Sequence, residues 1–82
     1  MNRVKLLFFA TLRDRAGTKS MELDIPSALT VQELKDKISA DYPNLKESMS
    51  SVLITINREY AFDEAVIPEN AELAMFPPVS GG

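Results

Sequence analysis

Thr30-Val31-Gln32-Glu33-Leu34-Lys35-Asp36-Lys37-Ile38 is the stretch that decides the fold. Thr30 and Glu33 stand three apart, the spacing of a capping box, in which the threonine hydroxyl and the glutamate carboxylate each take one orphan backbone N–H at a helix start. Val31, Leu34 and Ile38 then recur at helical spacing while Glu33, Lys35, Asp36 and Lys37 fall on other faces, so the segment predicts an amphipathic helix with one apolar stripe. Pro43 limits it, because the residue before a proline disfavours helical backbone. A single stripe needs a single apolar face to cover it.

The flanking segments supply that face. Val4 to Ala10 predicts a strand, with Val4, Leu6 and Phe8 on one side and Lys5, Leu7 and Phe9 on the other. Both sides are apolar beyond Lys5, which predicts a central place in a sheet. Thr11 to Ala16 predicts a helical turn closed by Gly17 in the left-handed conformation. Met21 to Ile25 alternates as a strand with one wet face does, and Pro26 ends it. Asn44 to Ser51 is expected to be a loop, with a turn of helix around Leu45 to Met49. Val52 to Asn57 predicts a third strand with Val52, Ile54 and Ile56 inward and Leu53 and Thr55 outward. Arg58-Glu59 is expected to turn into a minor strand near Tyr60 to Phe62. Ile67 to Ala71 predicts a turn in which Asn70 takes positive φ, and Glu72 to Phe76 a last strand stopped by Pro77-Pro78.

Strand, strand, helix, strand, short strand, strand is an order in which every apolar stripe is buried when the one main helix crosses one face of a mixed sheet of four to five strands. The expected fold is therefore an α+β roll of the β-grasp, ubiquitin-like type. Its first and last strands would run side by side and parallel at the sheet centre. With 82 residues the chain holds one small domain, taken as residues 1–76, followed by a flexible tail at 77–82.

Composition removes whole classes of chemistry. Cysteine and histidine are both absent, so there is no disulfide framework, thiolate nucleophile, Cys/His zinc site or imidazole base. No loop spaces acidic residues as a calcium site does, and no metal is expected. Nine basic against twelve acidic side chains, without a Lys/Arg run, argue against a nucleic-acid partner. Met1 to Ala10 has too short an apolar run for a signal peptide, and no segment has transmembrane length, so the expected compartment is the cytoplasm. The carboxylate pairs Asp63-Glu64, Glu22/Asp24 and Asp36/Asp41 read as solvated charge, since nothing around them suggests the desolvation that tunes a pKa. A self-sufficient enzyme is not expected.

The tail is different. Two of the three glycines are Gly81 and Gly82, at the end of Pro77-Pro78-Val79-Ser80-Gly81-Gly82, and at average glycine usage a terminal pair arises by chance in about one chain in two hundred. Without Cβ atoms the pair is slim enough to enter a narrow slot, and it carries a carboxylate with a pKa of about 3.3 to 3.7. That group is inert until converted to a mixed anhydride, for instance by adenylation, which needs a partner enzyme. Pro77-Pro78 would hold the tail off the domain, and six extended residues reach roughly 20 Å. Two plainer alternatives compete: an expression scar, or a frayed end with no role. On the outward face, Leu7 and Phe9 should neighbour Ala74 and Phe76, making an apolar patch at the tail's root that Tyr60 extends. A loop folded over these residues is the competing view, and Arg13 is a candidate partner for a carboxylate or simply a solvated cation.

Val4-Lys5-Leu6-Leu7-Phe8-Phe9-Ala10-Thr11-Leu12-Arg13-Asp14-Arg15-Ala16-Gly17, Thr30-Val31-Gln32-Glu33-Leu34, Ile56-Asn57 and Glu72-Leu73-Ala74-Met75-Phe76-Pro77-Pro78-Val79-Ser80-Gly81-Gly82 together resemble the small subunits of molybdopterin synthase, a family of ubiquitin-like sulfur carriers. The resemblance spans essentially the whole chain, with its most specific parts at the two ends. It implies that Gly82 is adenylated by an ATP-using, ubiquitin-activating-like adenylyltransferase and converted, with sulfur from a donor, to a thiocarboxylate. It implies further that the tail enters the large synthase subunit, which carries the catalytic side chains, and that its sulfur attacks cyclic pyranopterin monophosphate to build molybdopterin. The complex would be a heterotetramer of two small and two large subunits, with the small subunit non-catalytic and binding no cofactor of its own. By position, Phe9, Arg13, Tyr60, Phe76, Pro77, Pro78, Val79 and Ser80 correspond to the partner-facing surface, and Gly81-Gly82 to the working tail. One departure stands out: the family's usual Gly-Asp before the last strand is Asn70-Ala71 here. Two rivals share the tail chemistry, a sulfur carrier of the thiazole pathway and a ubiquitin-like modifier joined to target lysines through Gly82.

Overall fold

The computed structural model describes residues 1–78, so what was expected of Val79, Ser80, Gly81 and Gly82 lies outside the described residues. Five strands and two α-helices follow the expected order: β1 (Asn2–Phe8), α1 (Thr11–Ala16), β2 (Ser20–Ile25), α2 (Val31–Asp41), β3 (Leu53–Ile56), β4 (Glu59–Tyr60) and β5 (Glu72–Phe76). They form one sheet in the order β2-β1-β5-β3-β4. The pair β1–β5 is parallel, with Leu6 beside Leu73 and Phe8 beside Met75, and the neighbouring pairs are antiparallel. This is the β-grasp arrangement, with the first strand hydrogen-bonded to the last.

Helix α2 starts as its sequence dictates. Thr30 Oγ1 accepts from the Glu33 backbone N–H at 3.2 Å, and Glu33 Oε1 accepts from the Thr30 N–H at 3.0 Å. Val31, Leu34 and Ile38 are fully buried, and the helix stops at Asp41, one residue before the position that Pro43 restricts. Their stripe packs against Val4, Leu6 and Phe8 of β1, Ile54 of β3 and Leu73 and Met75 of β5, all buried in one core. Replacing Thr30 by Ala removes one cap acceptor and leaves Glu33 without its reciprocal partner. The expected loss is about 1 kcal/mol of stability, read from the urea midpoint; an unchanged midpoint would show that tertiary packing alone sets the helix start.

Some boundaries move, each for a local reason. The first strand begins at Asn2, not Val4, because Asn2 is buried and its side chain spans the fold: Nδ2 donates to Pro68 O and Oδ1 accepts from the Asn70 N–H, both at 2.8 Å. It ends before Ala10, which turns to φ 52, ψ −129 and presents its carbonyl to the first N–H groups of α1. An alanine there costs about 1–3 kcal/mol of backbone strain. Gly17 closes α1 at φ 75, as expected. The β3–β4 turn lies at Asn57-Arg58, one residue earlier than expected, with φ 50 and 73. Two successive positive values define the hairpin turn whose twist matches that of strands, and asparagine tolerates the first of them. Asn57 also exchanges bonds with β5, its N–H donating to Glu72 O and its Oδ1 accepting from the Glu72 N–H. The expected helical turn after Pro43 is instead two 3₁₀ turns, Pro43–Leu45 and Ser48–Ser50, whose Leu45 and Met49 plug the core. Asn70 takes φ 57, the positive value expected of it in the turn before β5.

Candidate functional site

The parallel pair β1–β5 builds the site on the sheet face opposite α2. Leu7 lies beside Ala74, and one step further out the rings of Phe9 and Phe76 stack, centroids 4.6 Å apart and planes inclined by 11°. Such a pair adds about 0.5–1.5 kcal/mol beyond the area it buries. Across β5, Leu53 pairs with Phe76 and Thr55 with Ala74, and Tyr60 of β4 stands opposite Thr55. The result is a hollow of about 410 Å³ with an apolar wall of Leu7, Phe9, Ala74 and Phe76. Thr55, Arg58, Tyr60 and Glu72 complete its lining. Phe9 remains 40% exposed and Tyr60 76%, so among the described residues no loop closes over the wall.

The face is graded in charge. At the end remote from the prolines, Arg58 approaches Glu72 at 3.9 Å, Lys5 lies beside Glu72, and Arg3 forks onto Asp24 at 3.0 and 3.3 Å. The hydrogen bond from Arg3, and then its charge, hold the Asp24 carboxyl below its ordinary value. A lowered carboxylate pKa contributes stability that is present at neutral pH and lost as pH falls through the folded-state value, but this pair is open to solvent and its contribution is small. At the other end the three inner strands deliver Phe9, Phe76 and Leu53. That is where β5 passes into Pro77, half-buried, and Pro78, exposed.

Phe9, Tyr60 and Phe76 are thus brought together, as expected of them. Arg13 is exposed on α1 and does not line the hollow; Arg58 is the cation there. Placing the turn at Asn57-Arg58, where asparagine accepts positive φ, would have pointed to Arg58 from sequence. Thr55 faces outward as expected yet is only 7% exposed, because β4 and β5 flank it and Tyr60 and Ala74 stand on either side. Among the described residues no group of three or more acidic side chains could hold a metal ion, and no helix is long and apolar enough to cross a membrane. The hollow offers contact surface. Among the described residues that line it, the one carboxylate is Glu72, 3.9 Å from Arg58.

Comparison with known proteins adds lineage to this geometry. The model of the ThiS family matches residues 6–82. The molybdopterin synthase sulfur carrier subunit of Arabidopsis thaliana is 38% identical over 79 residues, covering 96% of this chain and 82% of that protein. Among solved structures, the putative molybdopterin converting factor subunit 1 of Pyrococcus furiosus superposes with a TM-score of 0.86 at 25% identity, covering 96% of this chain and all of that one. SAMP1 of Haloferax volcanii, a small archaeal modifier protein, superposes with a TM-score of 0.82 at 29% identity, covering 99% of this chain and 100% of that one.

Proposed function

The chain belongs to the ThiS family, and from that membership we propose that it is the sulfur carrier subunit of a molybdopterin synthase. The observation that carries the reading is the apolar hollow whose Phe9–Phe76 wall stands at the root of the segment leading to Gly82. Residues 1–76 serve as a grip, and Pro77 to Gly82 as the working arm. The Gly82 carboxylate attacks ATP on an activating enzyme to give an acyl adenylate and pyrophosphate. Sulfide-level sulfur from a donor then displaces AMP, leaving a thiocarboxylate with no change of oxidation state. In the large subunit's active site that sulfur passes to the cyclic pyranopterin precursor, and water restores the carboxylate oxygen.

The division of labour follows from the residue inventory. Without His or Cys, the chain supplies one activatable carboxylate and a docking face, so activation and transfer fall to its partners. We place the complex in the cytoplasm, with ATP bound by the activating enzyme rather than by this chain. Phe9, Tyr60 and Phe76 contact the large subunit through the hollow, with Arg58 near its charged end. Pro77, Pro78, Val79 and Ser80 lead Gly81-Gly82 into the partner.

Intact-mass measurement of the protein from its native host tests the reading. Some molecules are expected to carry one sulfur in place of one oxygen at Gly82. Carboxylate alone, under sulfur-supplying and ATP-containing conditions, would refute the carrier. The likeness to SAMP1 favours a second reading, a modifier joined through Gly82 to lysines of other proteins; isopeptide-linked adducts in the same sample would establish it.

A further inference from the structure

We propose that the partner's contact surface continues beyond the hollow, across Leu53 and around the β4 edge, making Phe62 a further aromatic anchor for the large synthase subunit. The proposal rests on the reading of the hollow as the partner-facing surface. Strand register brings Phe62 to the right end. β5 runs toward Pro77, antiparallel β3 places Leu53 opposite Phe76, and β4 climbs back along β3 until the Ala61 N–H donates to Ile54 O at 3.0 Å. Phe62 therefore emerges beside Leu53, at the end of the sheet from which the tail departs. Phe9, Phe76, Leu53 and Phe62 form a transverse row there.

Phe62 is 83% exposed, so folding of this domain does little to remove it from water, and Leu53 beside it keeps 37% of its surface exposed. An aromatic side chain brings about 150–250 Å² of surface, and monomers seldom leave a contiguous apolar area of a few hundred Å² uncovered. A second hollow of about 330 Å³ lies between Phe62 and Leu53, flanked by Lys35 and Asp63. Those two charges are already joined, Lys35 Nζ to Asp63 Oδ1 at 2.6 Å, so the recess offers apolar contact and no free charge. Tyr60 lines both hollows, which makes the two recesses one continuous surface. Continuity also selects the occupant. Whatever accepts the tail must press on this end of the sheet, whereas a second copy seated on Phe62 would stand in its path.

Titration calorimetry of the full chain against the large subunit of the same organism, for wild type, Phe62→Ala and Phe76→Ala, decides the matter. Phe62→Ala is expected to weaken binding by about fivefold or more with an unchanged melting temperature. Binding within about twofold of wild type, while Phe76→Ala is clearly weakened, would overturn the Phe62 proposal alone. No binding by the wild type would overturn the reading of the hollow as well. Sedimentation adds one more outcome: wild-type self-association that Phe62→Ala abolishes, without change in large-subunit affinity, would assign Phe62 to a second copy and overturn the proposal.

Discussion

Removing Gly82 is expected to abolish sulfur transfer while leaving the melting temperature of the domain where it was. The two effects separate because, on the proposed function, the fold and the chemistry occupy different parts of the chain. Among the described residues the last buried side chain is Met75, and the last strand ends at Phe76. Deleting a residue six positions further on is therefore expected to leave that core and sheet intact. The activatable group of the proposed function, by contrast, is lost from its place: the new terminal carboxylate would sit on Gly81, one residue, about 3.3 to 3.6 Å, short of the proposed reacting atom. Misplacement on that scale removes most of the advantage of a positioned reactant. The measurement is conversion of pyranopterin precursor by the reconstituted synthase, alongside a thermal melt. Transfer at wild-type rate would place the reactive group elsewhere in the chain. A melt lowered by several degrees would mean that the tail docks on its own domain.

Leu73→Ala should produce the largest loss of stability. Leu73 is fully buried in the central strand, beside Leu6 of β1 on one side and Ile56 of β3 on the other. Truncating such a side chain removes its transfer free energy and leaves a cavity that close-packed neighbours fill only in part, at a cost of about 2–5 kcal/mol. A domain of 82 residues has about 4–12 kcal/mol of net stability in total, so the variant is expected to sit close to its unfolding threshold. Urea unfolding checks this. A loss below about 1 kcal/mol would show that α2 settles onto the vacated space.

Much of the fold was legible because its signals are local. The Thr30/Glu33 box, the Val31-Leu34-Ile38 stripe, Gly17 and Asn70 each act within a few residues of chain, and all stand where their spacing puts them. The central place of β1 was legible for a different reason, since apolar residues at Leu6, Leu7, Phe8 and Phe9 alike call for contacts on both faces, whereas its pairing with β5 followed by analogy with β-grasp topology. Asn2 was not legible, because its value lies in Pro68 and Asn70, more than sixty positions away in sequence. Nor was Ala10, where closing β1 into α1 overrides an ordinary alanine preference. At the site, the aromatic pair followed from strand parity. Arg58 did not, since shifting the turn by a single residue changes which side chain meets Glu72.

The parallel pairing of β1 with β5 also sets an order of events during synthesis. Asn2, Leu6 and Phe8 are made first, yet their partners near residues 68–76 are made among the last. Contacts of such long range form only after the intervening chain has closed on itself. A nascent chain can assemble β1, β2 and α2, but their common apolar face stays open until β5 has left the ribosome. Half-made chains therefore hold neither the stacked phenylalanines nor the hollow, and only a released chain presents the proposed docking face.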